Sequence, residues 1–365
     1  MSSQIGRNIR VQVFGESHGP SIGVVIDGLP AGLAIDDKAI ADQMARRAPG
    51  QSAQVTQRRE ADSTQFLSGL YRGHTTGSPL CAVIANTDTR SKDYTALADL
   101  PRPSHADYNA AVKYGGYADM RGGGHFSGRL TAPLVLAGAI CAGALSQRGI
   151  DIGAHLIQVG EVMAPALDPV AVTREDLDRL RQAPLGMADE AARQRVEDLL
   201  DDLRRQGDSV GGLVECAAIG LPQGLGEPMA AGVENRLSAA LFAIPGLRGL
   251  AFGAGFAACA MRGSAHNDPY TLVDGRVQPA SNHAGGVLGG MTTGLPLISH
   301  TAFKPTPSIA QAQASVRLSS LSPESLTISG RHDPCIAIRA VPVVEAVTAI
   351  VCLDLLFDKG GTYAT

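Results

Sequence analysis

Residues 121–129 read RGGGHFSGR and lead into an apolar run, LTAPLVLAGAICAGAL. Three successive glycines let backbone N–H groups approach an anion with no Cβ in the way, and a helix starting behind them adds positive potential. A phosphate suits such a cradle. A tight turn ahead of a buried helix is the other reading of the same residues. The stretch matches neither a P-loop, which needs Gly-Lys-Ser/Thr, nor a G-x-G-x-x-G following a strand.

Six further stretches gather polar residues among glycines and prolines: FGESHGPS (14–21), RRAPGQSAQVTQRRE (46–60), RPSHADYN (102–109), SNHAGGVLGGMTTG (281–294), KPTPS (304–308) and GRHDPCIAIRA (330–340). Arg47, Arg121, Arg129, Arg331 and Arg339 stand beside these turns, and arginine suits bidentate contact with phosphate or carboxylate. Five arginines so placed point to a ligand with several negative charges. His18, His105, His125 and His332 lie in the same loops, where a histidine is either a hydrogen-bonded structural residue or an acid/base group. His18 in GESHG and His105 in PSHAD each have an acidic neighbour able to orient the ring, and Asp333 offers a proton acceptor. GESHG also matches a nucleophile elbow formally, but that elbow normally follows several strands. No H-E-x-x-H, Cys/His cluster or dense carboxylate set points to a metal.

The elements that must position these loops alternate along the chain. IRVQVFG, SIGVVIDG, LCAVIAN, IDIGAHLIQVGEVM and GGLVECAAIG read as strands. Residues 36–47 read as a helix with an acidic start and a basic end. Thr173 and Asp176 form a capping box, and Val196, Leu199, Leu200 and Leu203 share one face of a helix that Gly207 stops. Residues 130–145 are apolar all round. That run is a helix buried in the fold or a membrane span, and its length and Pro133 favour the buried helix.

The reading is one α/β unit over residues 1–365, divisible into two packed βαβ-like halves at 1–150 and 210–365, with a polar, helical, inserted segment at about 165–210. Net charge is −4 with pI near 6.1, so nothing favours nucleic acid or an anionic membrane in general, and an anion site must be local. The N-terminus has no secretory pattern, which makes a cytoplasmic location the expectation. Six scattered cysteines without C-x-x-C are expected to be free, mostly buried thiols.

Taken in order, FGESHG, TQRRE, LSGLYRGHTTGSPL, NTDTRSKDY, HADYN, KYG, RGGG, SNHAGGVLGG, KPTPSI and GRHDPCIAIRAVPVVEA resemble the chorismate synthase family over nearly the whole chain outside 165–210. The resemblance implies a β-α-β sandwich, an α/β (α+β) fold, in a homotetramer. It implies anti-1,4-elimination of phosphate and a ring hydrogen from 5-enolpyruvylshikimate 3-phosphate, giving chorismate, with reduced FMN required but no net redox change. His18 matches the histidine acting near the flavin, His105 the one protonating the departing phosphate, and Asp333 the acid that assists ring-proton removal. Ser17, Arg47, Arg121, Arg129 and Arg339 match substrate-binding positions. His125, Phe126, Ser127, Pro245, Gly246, Gly289, Lys304, Pro305, Thr306, Pro307, Ser308 and Arg331 match flavin-contacting ones.

The chain departs from the family where RGGGRSSARET is usual: His125 replaces an arginine, Phe126 a serine, Gly128 an alanine and Leu130 a glutamate. Ala48 and Ala53 stand where further basic residues are common, which weakens the case for NADPH, a cofactor expected only of a bifunctional enzyme. The competing reading is a flavin- or anion-binding homo-oligomer of the same fold that has lost the elimination.

Overall fold

The computed structural model describes residues 3–48, 62–87, 99–328 and 333–358. Two five-stranded sheets enclose a layer of helices. The first sheet runs Gln4–Ile5, Arg10–Gly15, Ser21–Asp27, Leu80–Ala85, Thr64–Ser68 in spatial order. The second runs Leu247–Phe252, Leu297–Phe303, Gly212–Ile219, Asp151–Val159, Val162–Met163. Every strand pairing in both is antiparallel, so the expected βαβ-like halves do not form: some neighbours are joined by hairpins, as Arg10–Gly15 and Ser21–Asp27 are, while others, such as Asp151–Val159 and Gly212–Ile219, pair across a helical segment.

The helices are α1 (Asp37–Arg47), α2 (Asp107–Tyr114), α3 (Thr131–Ser146), α4 (Arg174–Gln182), α5 (Glu190–Gln206), α6 (Val233–Leu241), α7 (Gly263–His266) and α8 (Ala337–Leu356). The sheets differ in burial pattern because they differ in cover. In Arg10–Gly15, Val11 and Val13 turn inward while Arg10 and Gln12 face solvent, the alternation of a sheet packed on one side. Asp151–Val159 is buried nearly throughout, since α8 lies on one face and α4 on the other.

α3 and α8 form the middle layer and pack on one another, α3 also touching the first sheet and α8 the second. By length and composition α3 could cross a membrane, but Leu134, Val135, Leu136, Cys141 and Leu145 are buried between the layers. Their closeness requires Gly138: a Cβ there would come within 2.2 Å of the Ala346 Cβ. The loop expected at 330–340 is shorter than its sequence suggests, because α8 begins at Ala337 and carries Arg339 in its first turn.

The polar segment forms α4 and α5 against Asp151–Val159 and Val162–Met163. The Thr173–Asp176 capping box is present, and Gly207 ends α5 in the left-handed conformation. Val196 and Leu200 are buried along α5, with Leu199 and Leu203 half-buried beside them. Cys141, Cys216, Cys335 and Cys352 are buried free thiols, Cys81 is half-buried, and Cys259 is exposed, in keeping with free and mostly buried thiols. Burial pushes the Cys141 and Cys352 thiols up to about 12.

Candidate active site

The three glycines adopt φ values of 62°, 87° and 53°, a left-handed run that favours glycine. Their neighbours explain why side chains are excluded. A Cβ on Gly122 would come within 2.5 Å of the His18 ring and 2.8 Å of Ser17 Oγ. One on Gly123 would lie 3.4 Å from the His105 ring, and one on Gly124 would strike the Asp119 carbonyl at 1.8 Å. The Gly123 N–H is already spent on Met120 O at 2.9 Å. The glycines therefore chiefly make room for two histidines, rather than forming the open backbone cradle read from the sequence.

Around them lies a cavity of about 650 Å³, within the range of ligand sites. Its wall includes His105, His125, Phe126, Ser127, Arg129, Pro245, Gly246, all of 304–308, Asp333 and Arg339. Val13, Leu134, Ile244 and Ile336 make part of it apolar. Among the described residues five fixed cations, Arg102, Arg129, Arg248, Lys304 and Arg339, line it against one carboxylate, Asp333. Burial and Arg248 lower the Lys304 pKa.

At one wall, Arg47 and Arg129 share Asp62, and Arg339 joins them through the Arg47 carbonyl. Arg47, in the last turn of α1 and fully buried, donates from Nη2 to Asp62 Oδ2 at 2.5 Å, and Arg129 Nη1 pairs with Asp62 Oδ1. Arg339 donates from Nε to the Arg47 carbonyl at 3.2 Å and from Nη1 to Asp333 Oδ2 at 2.9 Å. Burial, Arg339 and Arg129 push the Arg47 pKa down to about 10 against the opposing pull of Asp62. Burial favours a neutral Asp62, but Arg47 and Arg129 outweigh it and hold that carboxyl below its ordinary range. Arg47 Nε is buried with no hydrogen-bond partner. Such a cluster, with more cation than anion, attracts negative ligand charge.

On the opposite side His105 Nδ1 lies 2.6 Å from Asp107 Oδ1, and Arg102 grips that carboxylate with Nε at 2.7 Å and Nη2 at 2.8 Å. The His105 edge carrying Nε2 lies towards Gly123. Segment 304–308 is braced onto this loop: Lys304 Nζ donates to Ser104 O, and Arg102 Nη1 donates to Ser308 Oγ at 3.4 Å.

Several expected residues fall elsewhere. Ser17 and His18 are buried against Gly122, behind the cavity lining rather than in it. Arg121 is exposed and paired with Asp119 at 2.6 Å, so it points away from the cavity. Gly289 lies at the exposed turn between Val287–Leu288 and Met291–Thr292, also outside the lining. Arg331 lies outside the described residues, as do His332 and Ala53. His125 lines the cavity with both ring nitrogens engaged: Nδ1 lies 2.9 Å from Gly15 O and Nε2 lies 2.7 Å from Ser3 Oγ.

Sequence reasoning missed Asp62 and Arg248, neither of which lies in a pattern that marks it. It also passed over Arg102, five residues before Asp107 in RPSHADYN, where Ser104 at φ 58° turns the chain back on itself. Among the described residues no group of three or more His, Cys, Asp or Glu side chains is arranged to hold a metal ion.

A family model described as chorismate synthase matches residues 9–357. Chorismate synthase of Pyrococcus abyssi is 44% identical over 357 residues, covering 97% of this chain and 98% of that one. That of Korarchaeum cryptofilum is 43% identical over 350 residues, 96% of each chain. That of Dehalococcoides mccartyi (strain BAV1) is 43% identical over 360 residues, 99% of this chain and 98% of its own. A crystal structure of a chorismate synthase superposes with a TM-score of 0.77 at 27% identity, covering 97% of this chain and 93% of that one. With that cavity and these full-length relatives, the chain belongs to the chorismate synthase family.

Proposed function

We infer that the protein is a carbon–oxygen lyase that converts 5-enolpyruvylshikimate 3-phosphate into chorismate and phosphate, a step of the shikimate route to aromatic amino acids. The observation that carries the reading is one cavity with five cations, His105 and Asp333 on its wall. The substrate has a phosphate and two carboxylates, and a net-negative chain binds such a ligand only where its charge is locally reversed.

Arg129 and Arg339 orient substrate anions, with Arg47 behind them holding Asp62 and adding positive potential. Holding the substrate in this way excludes other geometries for the 1,4-elimination. As the bond from ring carbon to phosphate oxygen breaks, His105 donates the proton on Nε2 to that oxygen. On another part of the wall, Asp333, steadied by Arg339, assists departure of the ring proton. His18, packed against Gly122 behind the lining, takes its role near the flavin from the family resemblance alone.

Reduced FMN is the family's cofactor, and the residues present suit it. Apolar side chains offer a surface for a flat ring, Lys304 and Arg248 offer cations for a phosphate, and Thr306 Oγ1 is buried without a partner in the segment that lines the cavity. Phe126, Ser127, Pro245, Gly246, Lys304, Pro305, Thr306, Pro307 and Ser308 would hold it, with Arg331 assigned by resemblance alone. When bound, it lends electron density to the ring and regains it, so no net redox change results. The same reading takes 1–365 as one domain, a cytoplasmic homotetramer with no nucleic-acid, membrane or NADPH partner.

The test is an anaerobic assay with the phosphorylated substrate and chemically reduced FMN, following chorismate absorbance and phosphate together. Equal formation of both, absent with oxidised FMN, is expected. Saturable binding of flavin and substrate without turnover would replace the lyase by the binding-only alternative.

A further inference from the structure

The loop carrying His105 is built more firmly than a proton donor alone requires. Asp107 and Arg102 are both buried, their ion pair uses two N–H donors and both carboxylate oxygens, and the Arg102 backbone N–H adds a third hydrogen bond at 3.0 Å. Burial opposes ionisation of Asp107, yet hydrogen bonds from Arg102 and His105 hold it well below the usual carboxylate range. A buried carboxylate kept charged beside an imidazole Nδ1 accepts a hydrogen bond from it, which leaves Nε2 as the nitrogen available on the other edge. Arg102 Nη2 also lies 3.0 Å from His105 Nδ1, but a guanidinium N–H cannot donate to a protonated nitrogen, so Asp107 is the ring's partner.

The same guanidinium reaches Ser308, and Lys304 reaches back to Ser104. The groups shown against His105 are Asp107 and Arg102 at Nδ1 and Gly123 at the Nε2 edge, and the 304–308 segment is tied to the same loop through Arg102 and Lys304. We propose that Asp107 and Arg102 are positioning residues for His105: Asp107 keeps the proton on Nδ1 and aims Nε2 at the departing phosphate, and Arg102 links that aim to the 304–308 segment that holds the cofactor. Asp107 lies off the cavity lining, and Arg102, which reaches it, acts in this proposal through His105 and Ser308. The proposal rests on the reading of His105 as the proton donor and deepens it.

The geometry carries a definite expectation for four variants of the full-length protein. Asp107→Asn lowers kcat by about tenfold to a hundredfold with KM changed by less than about threefold, since it disturbs proton delivery more than binding. Its kcat also falls away at lower pH than in the parent, because the imidazolium has lost its counter-charge. The working donor is the imidazolium, which carries a proton on both nitrogens; nitrogen-15 spectra recorded at a pH where the ring is neutral show the Nδ1–H form at His105 in the parent, identified by its absence in His105→Gln, and a mixture of tautomers in Asp107→Asn. Asp107→Glu recovers part of kcat. Arg102→Gln lowers kcat and weakens binding of oxidised FMN, followed by fluorescence quenching.

An unchanged tautomer and pH profile in Asp107→Asn overturns the role of Asp107, whatever its stability. Weakened FMN binding with kcat unchanged removes Arg102 from the link and leaves it a cofactor ligand. His105→Gln with full turnover sinks the reading of His105 itself, which separates that failure from failure of the positioning residues.

Discussion

At the scale of single residues, identity and position make separate demands, and Gly122 shows this best. Its φ of 62° costs a non-glycine residue about 1–3 kcal/mol, but the larger demand comes from the His18 ring, which would lie 2.4 Å from any Cβ. Gly122→Ala is expected to push His18 aside and cut kcat by up to about a hundredfold, the penalty of a misplacement near 1 Å. Turnover at the parent rate, with the melting temperature unchanged, would show that His18 has room to spare. His125 makes the converse point. A residue type expected to contact the flavin is engaged on both nitrogens by Ser3 and Gly15 O, so its contribution is to anchor the N-terminal strand that walls the cavity.

At the scale of elements, the central helices and the second sheet each rest on a specific fit. Gly138 and Gly143 both lie in α3, but a Cβ on Gly138 meets Ala346 at 2.2 Å whereas one on Gly143 meets nothing within 4 Å. Gly143→Ala should therefore stabilise the fold by up to about 1 kcal/mol through helix propensity, while Gly138→Ala destabilises it by about 1–3 kcal/mol through overpacking. Urea titrations of the two variants check the opposite signs. Across the second sheet, Glu215 is buried between His155, 2.8 Å away, and His300, 3.0 Å away, and it also accepts from the Leu167 N–H.

Burial would raise the Glu215 pKa, but the hydrogen bonds from His155, His300 and Leu167 bring it from 4.5 to about 2. Because the unfolded chain takes up that proton first, the stabilisation is complete above about 4.5 and is lost as pH falls through about 2. Glu215→Gln should flatten the decline of unfolding free energy across that window, a contribution on the order of 3 kcal/mol. An unaltered acid limb would mean that the network contributes no pH-dependent stability.

At the scale of the whole molecule, a net charge of −4 coexists with a cavity whose charged groups, among the described residues, are five cations against one carboxylate. Attraction of an anionic substrate should then be local and open to screening. Raising ionic strength from about 0.01 to 0.15 M shortens the Debye length from about 30 to 8 Å, so kcat/KM is expected to fall severalfold with kcat nearly constant. Salt-independent kcat/KM would deny the cationic wall a part in capturing substrate.

Local signals are legible in the amino-acid sequence. The Thr173–Asp176 box, the stop at Gly207 and the apolar surface of 130–145 each depend on residues within a few turns of one another, where side-chain chemistry and backbone conformation are directly coupled. The motif order likewise points to the family and to part of what lines the cavity, but not to Arg102, Arg248 or the N-terminal strand. Other features depend on approach through space. Arg47 and Arg129 share Asp62, Arg339 reaches the Arg47 carbonyl across 292 positions, and Arg102 meets Ser308 across 206.

No spacing rule links such distant residues, because their contact follows from tertiary approach: α1, packed on α3 and α8, keeps Arg47 in, and the loops set His18 and His105 against adjacent glycines while Arg121 pairs outward with Asp119. The chain's composition and order specify which groups are available for the chemistry; packing of the layers selects which of them share one cavity, since burial and charge act over ångströms rather than along the sequence.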